Sequence, residues 1–156
     1  MIKTILVATD GSEHAKKALA LASDLGAKYN ARLVLVHVLL TNARAETLRT
    51  LATRRGLSKD QRDLLENYEI DFHREVAAAG AAVGFVTVPP PRELVKAIGR
   101  QIMDRAEKAA TKAGVKKVVM HTVEGDPAEA ILELAASSKA SMIIMGSRGL
   151  SDFKGL

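Results

Sequence analysis

The sequence has no cysteine and no tryptophan, and its aromatics amount to two tyrosines and three phenylalanines. Without cysteine there can be no disulfide, no thiolate nucleophile and no cysteine-ligated zinc. So few aromatics leave no platform on which the bases of single-stranded nucleic acid could stack. Long apolar runs are missing too. No stretch reaches the ~18 residues of a membrane span. The apolar start, Met1 to Val7, is too short for the core and cleavage site of a signal peptide. A cytoplasmic protein with no membrane span is expected.

What is present is ordinary for a globular chain. Of 156 residues, 47% are hydrophobic and 26% charged, enough for one domain with a real core. The formal net charge is +5, but the basic residues are spread out. Lys16-Lys17, Arg54-Arg55 and Lys116-Lys117 come nearest to clusters, and they read as solvated surface, not as a nucleic-acid patch.

The organisation is an alternation. Ile5-Leu6-Val7-Ala8 is a continuous apolar run, the mark of a strand covered on both faces. Thr9-Asp10-Gly11-Ser12-Glu13 follows, with Asp10 and Ser12 both suited to cap a helix over about 13–28. Its stripe is Ala15, Ala18, Leu19, Ala22 and Leu25. Residues 33–39 make a second buried strand. Helix-like stretches occupy about 43–55 and 59–79, and Phe85-Val86-Thr87-Val88 reads as a short strand before Pro89-Pro90-Pro91. The small-residue run from Ala77 to Val86 fits a helix end packed on the sheet, or else a docking surface.

Residues 92–113 predict a helix with the stripe Leu94, Val95, Ile98, Ile102, Ala106, Ala109 and Ala113, closed by Gly114 at C′. Residues 117–123 make a third strand. Gly125-Asp126-Pro127-Ala128-Glu129 is the clearest helix start, with Asp126 as N-cap and Pro127 at N1. That helix carries Ile131, Leu132 and Ala135. Met142 to Met145 is the fourth strand. Buried strands alternating with amphipathic helices predict an α/β fold, a doubly wound parallel sheet with helices on both faces.

Ligands of open α/β sheets bind outside the carboxyl ends of the strands. Here those ends are Thr9-Asp10, Val38-Leu39 and Met145-Gly146. Gly146-Ser147-Arg148-Gly149 offers backbone N–H groups, a hydroxyl and a cation, a set that suits phosphate oxygens. Asp10 suits a ribose hydroxyl or an amine, and Val38 an apolar purine face. A tight left-handed turn after a strand would explain the two glycines equally well, and Arg148 could be plain surface. Other chemistries find no support. There is no P-loop, no dinucleotide fingerprint, no nucleophile elbow and no paired histidine ligands. No catalytic residue and no metal site are expected. His37 and His121, in apolar strands, read as satisfied structural histidines.

Taken together, Ile5–Ser12, Leu35-Val36-His37-Val38, Gly125-Asp126-Pro127 and Met142–Gly149 resemble the universal stress protein family over most of 1–40 and 93–156. The resemblance implies an adenine nucleotide alpha hydrolase-like sandwich of five strands, of which four are visible here. It makes 1–156 a single domain with a helical insert at about 41–92, and it implies a homodimer. In the ATP-binding branch, the matching residues are Ala8, Thr9 and Asp10 near base and ribose, and Val38 against adenine. Met145, Gly146, Ser147, Arg148 and Gly149 follow the ribose and phosphates. The cofactor implied is ATP, with or without Mg2+. The role implied is a regulatory or stress-response switch working with some protein partner, not an enzyme, although slow ATP hydrolysis or autophosphorylation is associated with the family.

That branch carries G-x2-G-x9-G-[ST]. With Gly146 and Gly149 as its first pair, the last two positions fall at 159 and 160, past Leu156. A further helix and strand are therefore expected beyond the sequence given. Two other readings stand beside this one: a nucleotide-independent dimeric interaction module of the same fold, and an ATP-pyrophosphatase. The latter needs a Ser-Gly-Gly-x-Asp-Ser loop where this chain has Thr9-Asp10-Gly11-Ser12. Gly146→Val is expected to abolish nucleotide binding with little loss of folding.

Overall fold

The computed structural model describes residues 1–39, 41, 58–79 and 89–149. The elements run β1 (Thr4–Ala8), α1 (Glu13–Tyr29), β2 (Arg32–Val38), α2 (Lys59–Ala79), α3 (Arg92–Lys112), β3 (Val118–Val123), α4 (Pro127–Ser137) and β4 (Met142–Met145). The chain divides into two compact units, Met1–Leu39 with Gly99–Leu156, and Leu40–Ile98.

In the first unit the four strands form one parallel sheet in the order β3-β2-β1-β4. The predicted α/β class and the alternation are both present. β1 and β2 sit centrally and are buried on both faces. Side chains alternate between faces along a strand, so each face has its own core. Ile5, Val7, Leu33 and Leu35 pack with Leu19 and Ala22 of α1 and with Met103, Ala106 and Ala110 of α3. Leu6, Val34 and Val36 pack with Ile131 of α4 on the other face. Each fully buried Val, Leu or Ile among these stabilises the fold by roughly 1.5–3 kcal/mol.

Helix boundaries follow their signals. Ser12, not Asp10, is the N-cap of α1, its Oγ accepting from the Ala15 N–H at 3.1 Å. Asp126 caps α4, with Oδ1 accepting from Ala128 and Glu129 at 2.9 and 3.0 Å. Gly114 has φ +94 and closes α3, its N–H donating to Thr111 O.

The stripes needed correction. The last turns of α3 bury Met103 and Ala110, not Ala109 and Ala113, which are exposed. Alanines at 109, 110 and 113 carry too little apolar area to set the phase. In α4, Ile131 is buried, but Leu132 is 62% exposed. β4 is also less covered than its apolar run predicted, with Ile143 and Met145 38% and 56% exposed. It is an edge strand of the described sheet, and the α4 core lies over β1 and β2 instead.

In the second unit α2 spans the predicted 59–79. It buries Leu65 and Tyr68, and the Tyr68 and Phe72 rings lie 6.5 Å apart. The helix expected at 43–55 and the strand at 85–88 lie outside the described residues. No described helix is long and apolar enough to cross a membrane.

Candidate functional site

The sheet order decides where a ligand could sit. β1 has β2 and then β3 on one side and β4 on the other, so the strand order reverses at β1 when the chain crosses from β3 to β4. That is a topological switch point, where open α/β sheets form a crevice at their carboxyl edge.

The register brings the sequence-predicted residues to that edge. Ala8 pairs with Val36 on one side and Met145 on the other. Val38 lies two residues beyond Val36, so it shares their face. Ala8, Val38 and Met145 thus form a short apolar shelf on one face. Ala8 and Val38 are partly buried against the α4 core, while Met145 is more than half exposed.

Beyond the shelf, β1 turns sharply into α1. The Thr9 N–H extends the ladder by donating to Val36 O at 2.9 Å. Thr9 is buried, and its Oγ1 accepts from the Gly11 N–H at 3.2 Å. The Asp10 carboxylate accepts from the Ser12 N–H at 2.8 Å, an Asx turn. Gly11 makes this possible with φ +76. Asp10 is therefore held at the mouth of the loop with its carboxylate oriented. A carboxylate has about four acceptor sites.

The β4 side meets the same helix start. An ideal Cβ on Gly146 would lie 2.9 Å from His14 C, 3.0 Å from Ala15 N and 3.0 Å from His14 Cβ. Two of those atoms are backbone of the first turn of α1. Gly146 is thus a packing glycine, which lets the β4 exit touch the helix N-terminus. This overturns the expectation that Gly146→Val would spare folding, because the added branch meets the helix before it meets any ligand. Ser147, Arg148 and Gly149 follow, exposed. The N-terminus of a helix carries partial positive charge, so Gly146 to Gly149 run from a region of favourable potential for an anion.

The sequence model of the universal stress protein family matches residues 1–156. The chain belongs to the universal stress protein family. A family member from Thermus aquaticus, the universal stress protein in the QAH/OAS sulfhydrylase 3′ region, is 31% identical over 154 residues, 96% of this chain and 80% of the relative. Among solved structures, a universal stress protein family protein from Arabidopsis thaliana with AMP bound aligns with TM-score 0.54 at 16% identity. The alignment covers 97% of this chain and 81% of that one. A universal stress protein in complex with cAMP aligns with TM-score 0.50 at 19% identity, covering 91% and 70%. At these identities the two structures support the universal stress protein fold and nothing finer.

One residue of this universal stress protein edge was undervalued in the sequence. His37, 1% exposed, has Nδ1 2.8 Å from Thr9 O. Its Nδ1 is partnered, as expected of a structural histidine. Its position, a lone polar residue near the carboxyl end of an apolar strand, was the available signal. The partner, 28 positions away, was not readable.

Proposed function

We propose that this chain is an adenine-nucleotide-binding regulatory protein that uses the nucleotide as a switch. The base lies on the Ala8, Val38 and Met145 shelf, the ribose hydroxyls meet Asp10, and the phosphates run along Gly146, Ser147, Arg148 and Gly149. The single observation that supports this reading is the register that pairs Ala8 with Val36 and Met145, with Val38 two residues further along the same face and Asp10 two residues past Ala8. An apolar shelf beside an oriented carboxylate matches an adenosine, which is flat and apolar on its base and hydroxylated on its sugar. The family members solved with AMP and with cAMP support the same ligand class.

In this proposal ATP is the full ligand, with Mg2+ on the phosphates where it accompanies them. Arg148 is the cation for the phosphate oxygens, and the first turn of α1 adds its dipole. Thr9 contributes by holding the loop, since its side chain already serves Gly11. The chemistry is binding rather than turnover. Calorimetric titration with ATP, AMP and cAMP tests it. Saturable binding that includes AMP supports the reading, and no AMP binding at millimolar concentration removes it.

A second reading has its own observation. Because Gly146 is required by the α1 contact, its presence does not by itself demand a nucleotide. A nucleotide-independent homodimeric interaction module would keep the same glycine. Light scattering with and without ATP separates the two readings, since only the switch changes its assembly or partner affinity with nucleotide.

A further inference from the structure

Thr9 is gripped from both sides. Its N–H donates to Val36 O at 2.9 Å, and its carbonyl lies 2.8 Å from His37 Nδ1. A carbonyl can only accept, so Nδ1 carries the proton and donates. The imidazole is 1% exposed. Its far side is closed by α3, where an ideal Cβ on Gly99 would come within 3.1 Å of His37 Cδ2 and 3.4 Å of Nε2. The ring therefore has little freedom to swing away from Thr9.

We infer that His37 is a positioning residue for the adenosine end of the site, acting through the Thr9–Asp10 peptide. This rests on the nucleotide reading above. The Thr9 carbonyl and the Asp10 N–H belong to one planar trans unit. Anchoring the carbonyl inward on His37 sets the plane of that unit and the point from which the Asp10 side chain departs. The Asx turn from Asp10 to Ser12 then fixes the carboxylate. Two residues on, the Ser12 cap starts α1. One buried imidazole thus links the end of β2 to the aim of Asp10, without itself meeting the ligand.

The test compares donors at one place in the intact chain. In His37→Asn the side-chain N–H falls where Nδ1 was. In His37→Gln it falls nearer Nε2, away from Thr9 O. His37→Leu keeps bulk and removes the donor. Two quantities are read: AMP affinity by calorimetry, and amide hydrogen exchange at Asp10, Gly11 and Ser12 without nucleotide. A single hydrogen bond of this kind is worth up to about tenfold in an equilibrium. His37→Leu and His37→Gln are expected to bind AMP about tenfold more weakly and to exchange faster in the loop. Exchange at Ile5 to Val7 should stay slow. His37→Asn should restore both properties to within about threefold of wild type. If His37→Leu does not fold, the Asn and Gln variants carry the same comparison. Wild-type affinity and loop exchange in His37→Gln would overturn the inference, as would a folded His37→Asn no better than Gln. If the wild type binds no AMP, the nucleotide reading fails alone, and loop exchange still decides whether His37 holds the Thr9–Asp10 peptide.

Discussion

Gly146 and His14 touch so closely that a Cβ on Gly146 would stand 2.9 Å from the His14 carbonyl carbon. That contact joins the exit of β4 to the first turn of α1, two segments at the carboxyl edge of the sheet. A side chain at 146 would meet helix backbone, which cannot rotate aside as a flexible side chain could.

Gly146→Ala should therefore destabilise the protein by about 1–3 kcal/mol, the usual cost of overpacking, and Gly146→Val by more. Urea denaturation checks this as a lower midpoint with an unchanged slope. Any loss of nucleotide binding in these variants comes with loss of stability. A Gly146→Ala protein with the wild-type midpoint would mean that the helix yields freely there.

Ser12→Ala removes the cap of α1 and should cost about 1 kcal/mol. Asp126→Ala should cost a similar amount at α4. The two sites differ in consequence, because only Ser12 also receives Asp10 in the Asx turn. Ser12→Ala keeps that backbone N–H, so its binding defect should be small. Paired denaturation and calorimetry would separate the stability effect from the binding effect.

Lys139 has φ +53 and sits just past the end of α4, where its N–H donates to Ala136 O and the Ala140 N–H to Ala135 O. A left-handed non-glycine residue is strained by about 1–2 kcal/mol. Lys139→Gly should thus raise stability by about 1 kcal/mol after the entropy of the unfolded glycine is counted. Asn30, with φ +49 at the end of α1, tolerates the region better, so Asn30→Gly should gain less. Equal midpoints for Lys139→Gly and wild type would contradict this.

The sequence was a good guide wherever the signal was local. Continuous apolar runs located β1, β2 and β4, and Asp126-Pro127 located the start of α4. The parallel sheet followed from alternation. What it missed depended on which element lies against which. Alanine-rich turns hid the phase of α3, since a methyl group barely distinguishes buried from exposed. The apolar run of β4 looked like a doubly covered strand, and among the described residues nothing covers Ile143 and Met145 fully.

The candidate site was legible in part for the same reason. Ala8, Asp10, Val38 and Met145 were readable as strand ends, and the register sets Ala8 and Met145 beside each other. The reason for glycine at 146 was misread, because a close approach looks alike in sequence whether helix or ligand makes it. The hold of His37 on Thr9 needed the pairing of β1 with β2 to be seen.

Arg148→Ala should weaken ATP binding about tenfold, in line with a charge-assisted bond, and leave adenosine binding unchanged. The ATP effect should shrink as salt rises. Equal losses for ATP and adenosine would move Arg148 away from the phosphates.

The most direct measurement is calorimetric titration of AMP into the wild type and into Asp10→Ala, with folding of both checked by circular dichroism. The account predicts saturable one-to-one binding to the wild type and at least about tenfold weaker binding to Asp10→Ala, the loss expected for hydrogen bonds to a charged acceptor. No binding to the wild type at millimolar AMP, or equal binding to both proteins, would contradict it.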